Sequence, residues 1–191
     1  MLELILGGAR SGKSTLAAAR AMGSGREVVV LATARADGDA EMRERIERHR
    51  RDRPAAWITR ETPVHLAQAL EQVPASTFVI VDCLTLWLAN LLYPMPRHGY
   101  SATRETGARP EGSDRQTGWA AERDALLHAL GRLRCDAVLV SNELGLGLVP
   151  ETEVGRRFRD EQGRLNQQVA ALCERVTFVA AGLPLTLKAP C

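Results

Sequence analysis

Short apolar runs alternate along the chain with stretches in which apolar residues recur every three or four positions. The runs predict buried strands at 4–6, 27–32, 77–82, 136–141 and 176–181, with shorter extended pieces at 57–59 and 183–188. The stretches between them predict helices at 15–20, 40–51, from 62 onward, 84–92, 119–132 and 153–174. Strands that alternate with helices form βαβ units, so the pattern predicts an α/β fold with a mainly parallel sheet and helices on both faces.

One segment, from about 94 to 118, interrupts this alternation. It contains Pro94, Pro96 and Pro110 among several Gly and Ser residues, with little that could be buried. We predict that it is a mobile surface insertion within a single domain spanning 1–191, because the alternating pattern resumes after it.

Composition narrows the class of protein. The chain is 45% hydrophobic and 25% charged, which is typical of soluble globular proteins, and its net charge of +2 gives no support for a nucleic-acid partner. The apolar runs are too short for a signal peptide or a membrane span. The four cysteines are widely spaced, so we expect reduced thiols in the cytoplasm rather than disulfides or a zinc site.

A glycine-rich segment follows the first apolar run. Gly7-Gly8-Ala9-Arg10-Ser11-Gly12-Lys13-Ser14 fits the pattern G-x-x-x-x-G-K-[ST] between a predicted strand and a predicted helix. In such a loop, backbone N–H groups and the helix start face phosphate oxygens, Lys13 reaches the β- and γ-phosphates, and Ser14 provides a magnesium ligand. The alternative is a plain glycine turn, but the spacing, the Lys and the Ser together predict a site for a nucleoside triphosphate.

Polar residues end several of the predicted strands. Asp82 ends an apolar strand, as a Walker B carboxylate does, and could hold Mg²⁺ or cap the next helix, or do both. Because the carboxyl ends of parallel strands share one edge, we expect the phosphate loop, Thr33, Asp82 and Asn142-Glu143 to line one cleft. Arg156, Arg157 and Arg159 could form a phosphate clamp at a helix start, although arginines on a surface helix are usually only solvated.

His49 lies on the predicted helix 40–51, on the same stripe as Met42 and Ile46. A neutral imidazole can attack the α-phosphorus of a nucleoside triphosphate and hold the nucleotidyl group. Neighbouring cations would stabilise phosphate charge and disfavour protonation of the ring. The charged residues near it are Arg48, Arg50, Arg51 and Arg53, with Glu41, Glu44 and Glu47. Two alternatives stay open: a structural histidine on an inner helix face, and a nucleic-acid contact, which the interleaved glutamates oppose.

Taken together, these residues resemble the bifunctional adenosylcobinamide kinase/adenosylcobinamide-phosphate guanylyltransferase family of cobalamin biosynthesis. The resemblance runs almost end to end, apart from the insertion. The matching segments are GGARSGKS at 7–14, ATA at 32–34, EM, RI and His49 within 41–49, Arg53-Pro54, Trp57, Thr59, Glu61, VDCLTLWLANLL at 81–92, SNELGLGLVP at 141–150, Phe158-Arg159-Asp160, Gly163, Leu165-Asn166-Gln167, Gly182-Leu183-Pro184 and Lys188.

The resemblance implies a RecA-like P-loop NTPase fold and two reactions. Adenosylcobinamide is phosphorylated by ATP or GTP, and GMP is then transferred from GTP to that phosphate through a guanylylated histidine, which corresponds to His49. The resemblance also implies Mg²⁺, a homotrimer with sites near subunit boundaries, and further nucleotide contacts. These contacts are Ala32, Thr33, Ala34, Arg50, Arg51, Asp52, Arg53, Glu61 and Asp82. Some relatives have Glu where this chain has Asp82.

Two other functions compete with this one. An ordinary P-loop small-molecule kinase would use the phosphate loop and leave His49 structural. A nucleotide-dependent switch would instead bind a protein partner through the segment 94–118. Covalent labelling by GTP separates the bifunctional enzyme from both alternatives, and turnover of adenosylcobinamide with ATP alone separates a kinase from a switch.

Overall fold

The computed structural model describes residues 1–36, 40–93 and 112–190, and within these it forms seven strands and six helices. In chain order they are β1 (Leu2–Gly7), α1 (Lys13–Gly23), β2 (Val28–Ala32), α2 (Ala40–Arg51), β3 (Ile58–Glu61), α3 (Leu66–Glu71), β4 (Phe78–Asp82), α4 (Leu84–Leu92), α5 (Gly112–Gly131), β5 (Asp136–Asn142), α6 (Glu153–Leu172), β6 (Arg175–Ala180) and β7 (Leu183–Lys188). In the described part of the chain, no helix has the length and apolar character needed to cross a bilayer.

All seven strands form one sheet, in the order β3-β2-β4-β5-β1-β6-β7. Strands β1 to β6 pair in parallel, and β7 pairs antiparallel with β6 at one edge. The predicted α/β fold with a mainly parallel sheet is confirmed. The apolar runs form these strands because a parallel sheet is covered on both faces, so that successive residues of each strand are buried.

The two faces of the sheet are covered unequally. Leu4 packs on the face that holds α3, α4, α5 and α6, where Trp87 and Trp119 meet edge to face with ring centroids 5.5 Å apart. Ile5 points to the opposite face, where Ala17 and Ala21 of α1 provide the cover. Helices therefore lie on both faces, as predicted. Helix α2 has no buried residue and packs into neither core.

The start predicted for α3 is wrong. The sequence pattern predicted a helix from residue 62 onward, but the helix begins at Leu66 with His65 at the cap position. The reason is that the Thr62 N–H donates to the Ala32 oxygen at 2.7 Å, so that the chain continues its pairing with β2 past the end of β3.

Helix α5 starts earlier than the sequence pattern suggested. The predicted helix began at Trp119, whereas α5 begins at Gly112, in a stretch that follows Pro110 and contains no further proline. The end of the segment predicted as an insertion is therefore helical. The rest of that segment, 94–111, lies outside the described residues, and its mobility stays a prediction.

Candidate nucleotide site

The glycine-rich loop connects β1 to α1 and is fixed by contacts with β6 and the turn after it. A side chain at Gly7 would bring its Cβ within 2.3 Å of the Val179 oxygen, so this position has room only for glycine. Gly12 has a φ of +100°, which favours glycine at the start of α1. The Gly182 N–H donates to the Ser11 oxygen at 2.9 Å. The loop therefore has its shape before any ligand is considered.

Lys13 is buried at the first turn of α1, and its ammonium group bends back onto the loop. Its Nζ donates to the Gly8 carbonyl and lies 3.5 Å from the Ser11 hydroxyl. Burial lowers the pKa of Lys13, and the neighbouring Cys83 and Asp82 offset part of this shift. A phosphate bound in the loop would replace these backbone and hydroxyl contacts with ionic ones, which favour the charged lysine.

Asp82 ends β4 and is paired with an arginine. Its Oδ2 accepts from Arg53 Nη2 at 2.8 Å, and Arg53 Nη1 also donates to the Thr59 hydroxyl at 3.3 Å. The Arg53 side chain is only 14% exposed, and the Asp82 side chain is only 24% exposed. Arg53 follows the end of α2, so this half-buried ion pair joins the helix that carries His49 to the Walker B position.

The donors near Asp82 fit a magnesium ion. The Ser14 hydroxyl and the Asp82 carboxylate line the same cavity, and Mg²⁺ prefers oxygen ligands, with phosphates and water completing its shell. Of the two carboxylate oxygens of Asp82, Oδ2 already accepts a hydrogen bond from Arg53.

Thr33 holds the strand ends together and does not line the cavity. Its buried hydroxyl donates to the Cys83 oxygen at 2.7 Å and accepts from the Cys83 N–H at 2.9 Å, while its own N–H donates to the Asp82 oxygen at 3.0 Å. Burial, and then the Asp82 charge, raise the pKa of Cys83. Asn90 Nδ2 donates to the Thr33 oxygen at 2.7 Å. Sequence reasoning missed Asn90, because nothing local marks it as a residue that joins two loops.

Helix α2 forms the wall of the cavity that lies across from the phosphate loop. The cavity has a volume of about 830 Å³, and Met42, Ile46 and His49 all line it, which confirms that they share one face of the helix. The imidazole of His49 is exposed. His49 is therefore not a core histidine, and the face predicted as an inner face borders the cavity.

Most of the predicted site residues meet in this cavity. Those that line it are Ala9, Arg10, Ser11, Gly12, Lys13, Ser14, Ala32, Ala34, His49, Arg50, Arg53, Glu61 and Asp82. Those outside its lining are Gly7, Gly8, Thr33, Arg51 and Asp52. The expected common cleft is correct for Asn142 and wrong for Thr33 and Glu143. Thr33 is buried between strands, and the Glu143 N–H continues the sheet by donating to the Gly7 oxygen at 3.1 Å.

Arg45 also lines the cavity and was not predicted. It lies four residues before His49 on α2, and this spacing places both side chains on one helix face. The helical spacing alone could have identified it.

A parallel sheet with a glycine-rich phosphate loop after one strand and a carboxylate at the end of another defines a P-loop nucleotide-binding protein. The family model described as "Cobinamide kinase / cobinamide phosphate guanyltransferase" matches residues 3–187. The chain belongs to this family.

Curated relatives match over nearly the whole chain. The "Bifunctional adenosylcobalamin biosynthesis protein CobP" of Pseudomonas aeruginosa is 49% identical over 98% of both chains. The "Bifunctional adenosylcobalamin biosynthesis protein CobU" of Escherichia coli is 37% identical over 98% of this chain and 100% of its own. That of Salmonella typhimurium is 34% identical with the same coverage. A solved structure titled "Crystal structure of the RadB recombinase" covers 93% of this chain and 73% of its own, with 16% identity and a TM-score of 0.47.

Proposed function

We propose that this protein catalyses two successive reactions on a corrinoid. It phosphorylates adenosylcobinamide with ATP or GTP, and it then transfers GMP from GTP to adenosylcobinamide phosphate, giving adenosyl-GDP-cobinamide and pyrophosphate. The observation that carries the proposal is that Lys13 of the phosphate loop and His49 of α2 line one cavity. Membership of the family and relatives named as bifunctional adenosylcobalamin biosynthesis proteins support it.

In the kinase step, the acceptor hydroxyl attacks the γ-phosphorus. A bond from its oxygen to phosphorus forms, the bond from that phosphorus to the oxygen bridging the β-phosphate breaks so that ADP or GDP leaves, and the hydroxyl proton passes to solvent water. Lys13 and the N–H groups of the phosphate loop stabilise the charge on the transferring group. Ser14 and Asp82 would hold Mg²⁺, which would supply further neutralisation of that charge.

In the guanylyl step, His49 acts as the nucleophile. A ring nitrogen attacks the α-phosphorus of GTP, an N–P bond forms, and the bond to the β-phosphate breaks with release of pyrophosphate. An oxygen of the acceptor phosphate then attacks the same phosphorus and breaks the N–P bond, which restores the imidazole. Arg45 and Arg50 line the cavity and would stabilise the phosphate charge in both half-reactions, while Arg53, which also lines it, pairs with Asp82.

Assembly and location are part of the same proposal. A homotrimer is supported by large apolar side chains that are exposed on β7 outside both cavity linings, namely Leu183 and Leu185, and sedimentation velocity tests it. A cytoplasmic location is supported by the free thiols of Cys83, Cys135 and Cys173, because disulfides are rare in that compartment. The near-neutral net charge supports small molecules, rather than nucleic acid, as the partners.

Covalent labelling tests the proposed function directly. The protein is incubated with Mg²⁺ and α-labelled GTP, denatured, and treated with acid or with alkali. We expect a label that survives denaturation, is lost in acid, resists alkali and maps to His49.

A surface histidine provides the matched control. His65 is exposed, lies outside the cavity lining and pairs with Glu122 at 2.9 Å. The variant His65→Ala should label like the wild type, whereas His49→Ala should not label. If the wild type binds nucleotide and retains no label, the protein is a simple kinase and the guanylyl step is wrong.

A further inference from the structure

A second cavity, of about 650 Å³, lies on the other side of the phosphate loop, and we call it the α6 groove. It runs between α6 and the strands β1, β6 and β7, and it shares no lining residue with the nucleotide cavity. Its polar lining includes Glu143, Arg159, Arg164, Asn166, Gln167 and Lys188. Most of these residues belong to the segments singled out in the sequence, namely SNELGLGLVP, Phe158-Arg159-Asp160 and Leu165-Asn166-Gln167. None of these six lining residues lines the nucleotide cavity.

One residue separates the two cavities. Asn142 lines the nucleotide cavity, and its backbone oxygen accepts from Asn166 Nδ2 in the α6 groove at 3.1 Å. Leu6, which lines the α6 groove, directly precedes Gly7 of the phosphate loop. A ligand in the α6 groove would therefore lie next to a nucleotide in the loop without occupying its site.

The wall around Asn166 is rigid. Its Oδ1 accepts from the Ser141 hydroxyl at 2.7 Å and from Gln162 Nε2 at 2.9 Å, and all three side chains are buried. Gln162 Nε2 also donates to the Ser141 hydroxyl oxygen at 2.9 Å. Such a network fixes the amide and the backbone next to it, which is the support that a binding site needs.

Arg159 is the cation that the α6 groove leaves available. Its side chain is 22% exposed, and the ion-pair partner Asp160 lies 3.8 Å away, too far for a hydrogen bond. Within the described residues, no side-chain hydrogen bond involves Arg159. Helix α6 follows the carboxyl end of β5, and Arg159 precedes Asn166 by about two turns, or about 10 Å along the axis. Arg159 therefore lies on the part of α6 nearest the carboxyl edge of the sheet, which is the edge that also carries the phosphate loop.

The rest of the lining suits a large ligand that is partly apolar and carries amides. Leu6, Val176 and Leu187 form an apolar floor, while Gln167 and Glu143 offer groups that pair with amides. The loop after β5, which contributes Glu143 and Gly145 to the lining, also carries exposed apolar side chains, among them Leu148, which is 97% exposed. A corrinoid has these properties: a broad macrocycle surrounded by amide side chains and, after the kinase step, a phosphate.

We propose that the α6 groove is the binding site of the corrinoid acceptor, and that Arg159 contacts its phosphate in the guanylyl step. This assignment rests on the proposed function. The acceptor would enter from the α6 side of the phosphate loop, and the nucleotide would enter from the α2 side. The two substrates would then meet at the carboxyl edge of the sheet.

Steady-state kinetics of Arg159→Gln test the assignment. We expect KM for adenosylcobinamide phosphate to rise at least about tenfold, because a charge-assisted contact is lost, while KM for GTP stays unchanged. The variant Gln167→Ala should raise KM for both adenosylcobinamide and its phosphate, since it removes an amide contact common to both. Equilibrium dialysis of each corrinoid in the absence of nucleotide measures its dissociation constant, and the two variants should weaken binding in the same pattern.

Arg132→Gln is the matched control, because Arg132 is exposed beyond α5 and lies outside both cavity linings. Unchanged corrinoid constants in Arg159→Gln and Gln167→Ala, with an active wild type, would overturn the assignment and leave the proposed function intact. An altered sedimentation coefficient with unchanged corrinoid constants would also overturn it, since the α6 groove would then be a contact between subunits. An inactive wild type that binds neither corrinoid would overturn the proposed function itself.

Discussion

The two walls of the nucleotide cavity are built in opposite ways. The phosphate loop is held against β6 by Val179 and Gly182, and Lys13 is buried. Helix α2 has no buried residue, and the ion pair between Arg53 and Asp82 anchors the chain that follows it. Phosphate binding needs donors that are fixed in advance, which the packed phosphate loop provides. The wall that carries His49 has no such packing and depends on one ion pair for its attachment, so substitutions in the two walls should have different effects on stability.

The largest effect on activity should come from a substitution in α2, which is the wall with the least packing. His49→Ala should lower guanylyl transfer at least about 10³-fold, because it removes the proposed nucleophile, and leave cobinamide phosphorylation within about threefold. The melting temperature should stay within about 2 °C, because His49 is exposed. Separate assays of the two reactions and a thermal melt check this result. Equal loss of both activities would show that His49 is shared or structural.

Lys13→Ala should reduce both reactions about 10²- to 10³-fold, since both use phosphates bound in the same loop. The measurement is kcat/KM for each reaction, with circular dichroism to confirm that the variant is folded. A kinase rate equal to that of the wild type would contradict the assignment of the phosphate loop.

Substitution of two isoleucines, one near the phosphate loop and one on α2, compares how much each wall contributes to the free energy of unfolding. Ile5 is fully buried in β1 before the phosphate loop, whereas Ile46 on α2 is half-exposed. Ile5→Ala should lower the free energy of unfolding by about 2–5 kcal/mol, and Ile46→Ala by less than about 1 kcal/mol. Urea denaturation measures both values. Similar losses would mean that α2 is packed as firmly as the sheet.

The smallest effect concerns the anchor of α2. Arg53→Ala should slow labelling of His49 about tenfold, because it removes a half-buried charged hydrogen bond, and should affect the kinase step less. Arg48→Ala is the control on the same helix, since Arg48 is exposed and pairs with Glu44 at 3.0 Å. If Arg48→Ala slowed labelling as much as Arg53→Ala, general loss of helicity would explain the result and the anchor would not.

The sequence predicted the parts of the site that depend on local pattern. The phosphate loop, the strand that ends in Asp82 and the face shared by Ile46 and His49 each follow from spacing within a few residues. The errors arose where distant backbone groups decide the outcome. The hydroxyl of buried Thr33 bonds the backbone of Cys83, just past the end of β4, and the Glu143 N–H donates to Gly7 at the start of the phosphate loop.

The α6 groove could not be predicted for the same reason. It exists because β7 turns back at Gly182 and pairs antiparallel with β6, which leaves a channel beside α6. The sequence indicated a short terminal strand, but its partner and direction depend on the assembled sheet.

The contact between Gly7 and Val179 has a consequence for how this loop can change over evolutionary time. Gly8, the next residue, faces open space, so a side chain there meets no steric obstacle, whereas residue 7 is constrained by a strand near the other end of the chain. Selection on Gly7 therefore acts through folding and needs no nucleotide. A descendant of this protein that had lost nucleotide binding would still be expected to keep Gly7, while Lys13 would be free to drift.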